Sequence, residues 1–335
     1  MAGKSSNFTI IDLFAGVGGL SLGFIESGFD LVFANDNDKW ASETLKANHK
    51  VELYSTEDIR KIDVGQLKKN LGGRHINVLV GGVPCQSFST AGYRIRQKRK
   101  GQDDERHYLF REFVRFAKEF KPDVVIIENV KGLVTLGGGR IRDEIIADLK
   151  SIGYKVDYKV LNSANYGAPQ LRERVFFIGN RLGIDNIFPV PTHTPENYLT
   201  VGETLKDVPA LNHAPRLLSG VVLQRVKLIR PGQNWKSLPK HLQTKSQHSG
   251  AYGRLDSNKP ARTLTTRFDT PPVGYVTHPT ENRTLTVREG ARIQGFPDDF
   301  EFYGPVMQQY KQVGNAVPVY FSRALSRSVT DMLKQ

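Results

Sequence analysis

The sequence predicts an α/β fold with a mostly parallel, doubly wound sheet, followed by a smaller, irregular, strand-rich domain. Over the first 186 residues, short apolar runs alternate with stretches whose apolar residues recur at helical spacing. Runs that are apolar throughout are typical of strands buried on both faces of a parallel sheet. Beyond this point prolines and polar residues become frequent and the alternation is lost. We therefore expect residues 187–307 to form the second domain, and residues 1–186 and 308–335 to form the first.

The first elements predict a ligand-binding turn. Phe8 to Phe14 forms an apolar strand, residues 15–20 form a tight glycine turn, and a helix follows. A strand, turn and helix in this order let a ligand approach the backbone and its free N–H groups. The turn lacks a full G-x-G-x-x-G fingerprint, so it is compatible with a dinucleotide, with S-adenosylmethionine, or with no ligand. The second strand leads to Asp36, 20 residues after Gly16, where a carboxylate either binds ribose hydroxyls or caps the next helix.

Two later strands end in side chains that can carry chemistry. Ile76 to Val80 leads into a loop of glycine and proline that contains Cys85, the only cysteine. Val124 to Ile127 leads directly to Glu128. The carboxyl ends of parallel strands meet at the crevice where open α/β sheets bind ligands. Cys85 is thus a candidate nucleophile and Glu128 a candidate acid, against the alternatives of a small core residue and a surface carboxylate.

The next elements are expected to close the sheet at one edge. Residues 141–152 predict a helix, and 154–161 and 174–179 predict two strands whose short connection permits antiparallel pairing. Arg172 and Arg174 alternate along this connection, so one of them can point into the crevice, unless both are solvated. Near the end of the chain, 286–294 and 319–333 predict helices, with a punctuated loop at 312–318 between them.

The composition favours a polyanionic partner. The net charge is +13 and basic residues crowd the loop after Cys85. Such clusters release counterions from nucleic acid phosphates, although a generally basic protein is the plain alternative. No apolar stretch approaches the roughly 20 residues that span a membrane. A single cysteine and a polar amino terminus without a signal-peptide core suggest a reducing cytoplasm, and exclude an internal disulfide and a thiolate metal site.

Six motifs in this order resemble the DNA (cytosine-5)-methyltransferases of bacterial restriction–modification systems, over nearly the whole chain. They are Asp12-Leu13-Phe14-Ala15-Gly16-Val17-Gly18-Gly19, Pro84-Cys85-Gln86, Glu128-Asn129-Val130, Gln170-Leu171-Arg172-Glu173-Arg174, the stretch from Leu285 to Pro297, and Gln312-Val313-Gly314-Asn315-Ala316-Val317-Pro318. The resemblance implies an S-adenosylmethionine-dependent methyltransferase fold. It makes the second domain a target-recognition domain.

The resemblance also implies a set of cofactor-binding residues. These are Phe14, Ala15, Gly16, Val17, Gly18, Gly19, Leu20, Asp36, Asn37, Asp58, Ile59, Pro84, Leu109, Asn315 and Ala316. Many family members carry a tryptophan directly after the ribose-binding acid, where this chain has Asn37. Adenine stacking by Ile59 or Trp40 is the expected replacement.

The implied chemistry is covalent. The Cys85 thiolate adds to carbon 6 of a flipped-out cytosine, which makes carbon 5 nucleophilic. Glu128 supplies a hydrogen bond or a proton to the ring nitrogen N3, Arg174 holds the O2 oxygen, and Arg172 supports the pocket. Gln86, Arg94, Arg96 and Lys98 are expected to contact double-stranded DNA. A monomer is expected, acting on the same site as a cognate restriction endonuclease without forming a stable complex with it.

Three other functions fit parts of the sequence. An RNA (tRNA) cytosine-5 methyltransferase would share the sheet and the Pro-Cys motif, but the long region after residue 187 favours DNA. A nicotinamide-dependent dehydrogenase fits only the glycine turn and Asp36. A catalytically inactive DNA-binding protein would leave Cys85 and Glu128 without a purpose.

Overall fold

A seven-stranded sheet lies at the centre of the molecule. This computed structural model describes residues 8–84, 109–244 and 249–335. The strands of the sheet are β1 (Thr9–Leu13), β2 (Asp30–Asn35), β3 (Leu53–Ser55), β4 (Val78–Gly82), β5 (Val124–Val130), β6 (Lys155–Asn162) and β8 (Glu173–Asn180). The helices of the described residues are α1 (Gly19–Glu26), α2 (Lys39–Asn48), α3 (Val64–Asn70), α4 (Leu109–Phe120), α5 (Arg140–Ser151), α6 (Val201–Thr204), α7 (Gly220–Leu228), α8 (Val287–Gln294), α9 (Val306–Asn315) and α10 (Val319–Leu333).

The strand order confirms the predicted fold class. It runs β3-β2-β1-β4-β5-β8-β6, and every pair from β3 to β5 is parallel. Strand β8 pairs antiparallel with both β5 and β6, so the antiparallel pair lies at one edge, as the short connection predicts. The parallel order brings the ends of β1, β2, β4 and β5 to one edge of the sheet.

Helices cover both faces of the sheet, which explains the uniformly apolar strands. Neighbouring residues Ile10 and Ile11 are both fully buried but belong to different core clusters, one on each face. One cluster includes Phe113 of α4 and Ile145 of α5, and the other includes Phe321 of α10. The sheet is therefore doubly wound, as expected.

The last helix returns to the first. The backbone N–H of Gly23 in α1 donates to the Ser322 hydroxyl of α10 at 2.9 Å. A Cβ at position 23 would lie 2.3 Å from the backbone nitrogen of Arg323, so only glycine permits this approach. The carboxyl-terminal segment thus completes the packing of the sheet.

The region between residues 187 and 286, called the irregular region below, has little regular structure. Its strands are short: β9 (Gly253–Arg254), β10 (Ala261–Arg262) and β11 (Tyr275–Thr277). Strand β11 pairs with β9, whereas β10 pairs with the two-residue β7 (Gln170–Leu171), next to β8. The β7–β10 pair joins this region to the edge of the central sheet.

One predicted loop is wrong. Residues 312–315 continue α9, and only 316–318 are irregular. Gly314 and Asn315 favour a loop when read locally, but packing overrides them. The backbone oxygen of Thr265 lies 2.3 Å from the position that a Cβ of residue 314 would occupy, so the helix needs glycine here for close approach. In the described parts of the chain, no helix is long and apolar enough to cross a membrane.

Candidate active site

The glycine turn between β1 and α1 is held from two sides. Phe14, at φ 56°, starts it in a conformation that non-glycine residues rarely adopt. The N–H of Ala15 donates to the Asn35 carbonyl at 3.0 Å, and that of Gly18 donates to the Ala15 carbonyl at 2.8 Å. A Cβ at Gly16 would meet no heavy atom within 4 Å, so this side of the turn is open to a ligand.

Gly18 and Gly19 face inward instead. A Cβ at Gly18 would lie 2.4 Å from Nε2 of His49, and a Cβ at Gly19 would lie 2.6 Å from the Val317 carbonyl oxygen. The Val317 contact brings the residues after α9 against the turn. Ala316, a predicted cofactor residue, is buried there. The predicted Asn315 is exposed at the end of α9.

Asp36 lies directly beside the turn, at the end of β2. Its Oδ2 accepts a hydrogen bond from the Gly16 N–H at 2.8 Å, and its Oδ1 accepts one from the Asp38 N–H at 2.8 Å. The side chain that caps α2 is Asp38, so the alternative of a capping role for Asp36 is wrong. Burial raises the pKa of Asp36 above its usual range, against the two N–H donors. One carboxylate therefore ties the second strand to the open side of the turn.

The other predicted cofactor residues surround these elements. Asn37 is exposed beside Asp36. Ile59 is buried in the core, and Leu109, at the start of α4, packs against the same cluster. Asp58 caps the short helical turn 59–61 and pairs with Arg60, which lowers its pKa to about 2. The Trp40 ring packs against Gly304, where a Cβ would lie 2.6 Å from it.

Glu128 and Arg174 form a buried ion pair at the ends of β5 and β8. The Nε of Arg174 lies 3.0 Å from Oε1 of Glu128, with exposed side-chain fractions of 14% and 11%. Strand pairing sets this contact, because β5 and β8 run antiparallel and bring Val130 opposite Arg174. Burial raises the pKa of Glu128, and the charges of Arg174 and Arg172 oppose the rise. A buried carboxylate next to a cation is suited to hold or deliver a proton at a bound ring.

The end of β4 lies beside the Glu128 carboxylate. Gly82 lies opposite Glu128 in the parallel register, and a Cβ at Gly82 would lie 3.6 Å from Oε2 of Glu128. The Asn129 amide donates to the Val83 carbonyl at 3.1 Å, which fixes the exit of the strand. Pro84 is the last described residue here. The predicted Cys85, Gln86, Arg94, Arg96 and Lys98 lie outside the described residues.

Arg172 is buried inside the protein, close enough to Glu128 for the two charges to interact. It is 3% exposed and donates to the carbonyls of Leu264, Gly314 and Ala316. It thereby joins the edge of the sheet to the irregular region and to the end of α9. Of the two alternating arginines, Arg174 is the one at the crevice.

His49 is a residue that sequence reasoning missed. Its Nε2 donates to the Val17 carbonyl at 3.0 Å, and its ring packs edge-on against Phe300. Burial lowers the His49 pKa and so favours the neutral ring, whose Nε2–H can make this bond. No spacing rule connects residue 49 to the turn, because the contact arises only when α2 packs beside it.

These features define a class of enzyme. A doubly wound sheet carries an open glycine turn, an adjacent carboxylate and a buried acid at the ends of successive strands. The sequence profile of the C-5 cytosine-specific DNA methylases matches residues 8–331. The chain belongs to this family and is a DNA (cytosine-5)-methyltransferase.

Relatives and solved structures agree with this membership. The Type II methyltransferase M1.HphI of Haemophilus parahaemolyticus is 37% identical, over 97% of this chain and 87% of its own. M.NgoFVII of Neisseria gonorrhoeae is also 37% identical, with the same coverage. The structure of a DNA modification methyltransferase from an Escherichia coli prophage superposes with a TM-score of 0.79 at 25% identity, covering 98% of this chain and 100% of that one. A methyltransferase of Entamoeba histolytica gives 0.70 at 18% identity, over 99% and 100%, and supports the fold alone.

Proposed function

We propose that this chain transfers a methyl group from S-adenosylmethionine to carbon 5 of a flipped-out cytosine in a specific DNA sequence, through a covalent bond from Cys85 to carbon 6. The observation that carries the proposal is the buried Glu128–Arg174 pair, 3.0 Å apart, at the strand end opposite Gly82, three residues before Cys85. Its relatives' names support a role in a Type II restriction–modification system.

The residues at the turn fit the cofactor. The open side of Gly16 leaves room for a ligand against the backbone, and the Asp36 carboxylate beside it suits ribose hydroxyls. Phe14 and Leu109, both partly buried, pack against the core cluster that contains Ile59. S-adenosylmethionine would supply an electrophilic methyl group on a sulfonium.

The chain's own groups would activate the base. A cytosine carbon 5 is a weak nucleophile, and thiolate addition at carbon 6 converts the ring into an enamine-like species. Negative charge then develops at N3, where the Glu128 carboxyl donates its proton; its raised pKa helps it carry one. Arg174 keeps Glu128 oriented, and its positive charge would stabilise the negative charge that develops at O2. After methyl transfer, water removes the carbon 5 proton, the thiolate leaves carbon 6, and the N3 proton returns to Glu128, which restores the neutral aromatic ring.

Stacked bases cannot reach such a site, so the target cytosine must leave the duplex. The region 187–307 would read the sequence as a target-recognition domain, and 1–186 with 308–335 would form the catalytic domain. The β7–β10 pair and the Arg172 contacts to Leu264 support this arrangement, because they fix the irregular region directly beside the crevice.

The test combines methyl transfer with mapping. The purified chain is incubated with tritiated S-adenosylmethionine and either duplex DNA or tRNA, and a plasmid from expressing cells is sequenced after bisulfite treatment. We expect label in DNA only, and one protected cytosine in one recurring sequence. Glu128→Gln should bind DNA but transfer at least 100-fold more slowly, a typical loss for a general acid. Label in tRNA alone would replace this proposal with the RNA alternative.

A further inference from the structure

A pair of arginines shares one buried carboxylate in the irregular region. Asp269 is completely buried. Its Oδ1 accepts from Nε of Arg267 at 3.1 Å, and its Oδ2 accepts from Nη1 of Arg216. Both arginine side chains are about half exposed, at 53% and 52%. One negative charge therefore positions two positive charges at the surface.

The base of this cluster is rigid. Phe268, next to Asp269, is fully buried, and its ring lies 4.6 Å from that of Tyr310. A Cβ at Gly290 would lie 2.4 Å from the Phe268 ring. Arg267 also donates through Nη2 to the Thr270 hydroxyl at 3.0 Å, so two of its three nitrogens are engaged. Within the described residues, Arg216 is engaged through Nη1 alone, which leaves its Nε and Nη2 for a ligand.

The cluster lies close to the crevice. The Leu264 carbonyl accepts from Arg172, and the Thr263 hydroxyl donates to the Leu171 carbonyl. Three residues of chain span at most about 10 Å, so the backbone of Arg267 lies within that distance of Leu264. Arg216 shares Asp269 with Arg267, so both arginines belong to the part of the irregular region that contacts the central sheet.

We propose that Arg216 reads a guanine in the major groove of the recognition site, and that Asp269 and Arg267 are positioning residues for it. This rests on the proposed DNA methyltransferase function. A guanidinium can donate two parallel hydrogen bonds to O6 and N7 of guanine. A buried carboxylate would weaken attraction to a phosphate, but it fixes the plane of the guanidinium, which a two-pronged contact requires.

The test uses the site found by bisulfite mapping. Duplexes are made with each base pair of the site changed in turn, and kcat/KM is measured for wild type, Arg216→Gln and the control Arg140→Gln. Arg140 is 61% exposed on α5, in a surface pair with Glu144. We expect Arg216→Gln to lower kcat/KM on the intact site roughly 5- to 100-fold, and to lose discrimination by the same factor at one G·C pair only. The control should match wild type throughout.

Asp269→Asn tests the positioning role. It should reduce discrimination at the same G·C pair, leave S-adenosylmethionine affinity unchanged, and add no further loss to Arg216→Gln. Should this variant not fold, the Arg216→Gln panel still decides the assignment. An equal loss on every duplex, with a weaker salt dependence, would identify a phosphate contact instead. Unchanged discrimination would mean a structural ion pair, and either result overturns the proposal. Absence of methylation by wild type would instead contradict the proposed function itself.

Discussion

Replacing Arg174 by methionine should destabilise the protein through the charge that it leaves behind. The Glu128 carboxylate is 11% exposed and lies 3.0 Å from the guanidinium. Removing one partner of a buried ion pair typically costs about 3–5 kcal/mol, because the other charge remains uncompensated. At about 2 °C per kcal/mol for a chain of this size, the melting temperature should fall by about 6–10 °C at pH 8.

The loss of stability in Arg174→Met should increase as the pH rises. Burial raises the pKa of Glu128 in the folded protein, and loss of Arg174 raises it further. A carboxyl group whose pKa is raised in the folded state contributes its full stabilisation below its unfolded pKa of about 4.3. This stabilisation is lost as the pH rises through the folded pKa. The deficit of Arg174→Met should therefore be small at pH 5 and largest at pH 8.

Differential scanning calorimetry at both pH values provides the measurement. The double variant Glu128→Gln/Arg174→Met should recover most of the loss, because it removes both members of the buried ion pair. Lys131→Met is a matched control, since it breaks the pair with Glu173, whose side chains are 60% and 46% exposed, and should cost under about 1 kcal/mol. An equal deficit at pH 5 and pH 8 would refute the reasoning.

Three further predictions concern the turn and the recognition region. Asp36→Ala should weaken S-adenosylmethionine binding in calorimetry by roughly 10- to 100-fold, since a charged hydrogen-bond partner is lost; unchanged affinity would remove Asp36 from the cofactor site. Gly18→Ala should lower the melting temperature and the cofactor affinity together, because its φ is 82° and its Cβ would lie 2.4 Å from the His49 ring; an unaffected variant would mean that the turn tolerates a side chain. Exchanging 187–284 for the corresponding region of a relative should move methylation to that relative's site in bisulfite sequencing, and a folded chimera that keeps the original site would place recognition elsewhere.

Much of the sheet was predictable because its signals are local. Val124 to Ile127 is apolar throughout and forms the first, fully buried part of β5, which continues through Glu128 to Val130. The alternation of Arg172 and Arg174 also predicted that they would differ in direction. Which of the two arginines lies at the crevice depends on the pairing of β5 with β8, and no local feature of the sequence indicates that pairing.

The contacts that the sequence could not reveal join distant segments. His49 meets the glycine turn only because α2 packs beside it, and position 314 of α9 needs glycine because the Thr265 backbone lies where a Cβ would be. The Arg216–Asp269–Arg267 cluster joins residues 53 positions apart. Composition predicts a polyanionic partner, but not which arginines a buried carboxylate fixes at the surface.

The most direct test of the covalent mechanism uses a duplex with 5-fluorocytosine at the target position. Methyl transfer can proceed on this base, but the last step would have to expel fluorine as a cation, so the bond to carbon 6 persists. Wild-type protein with S-adenosylmethionine should give a protein–DNA complex that survives denaturing electrophoresis. Glu128→Gln should form it much more slowly, because an amide cannot supply the N3 proton, and Cys85→Ala should give none while still binding DNA. A denaturation-stable complex with Cys85→Ala would contradict the assignment of Cys85 as the nucleophile.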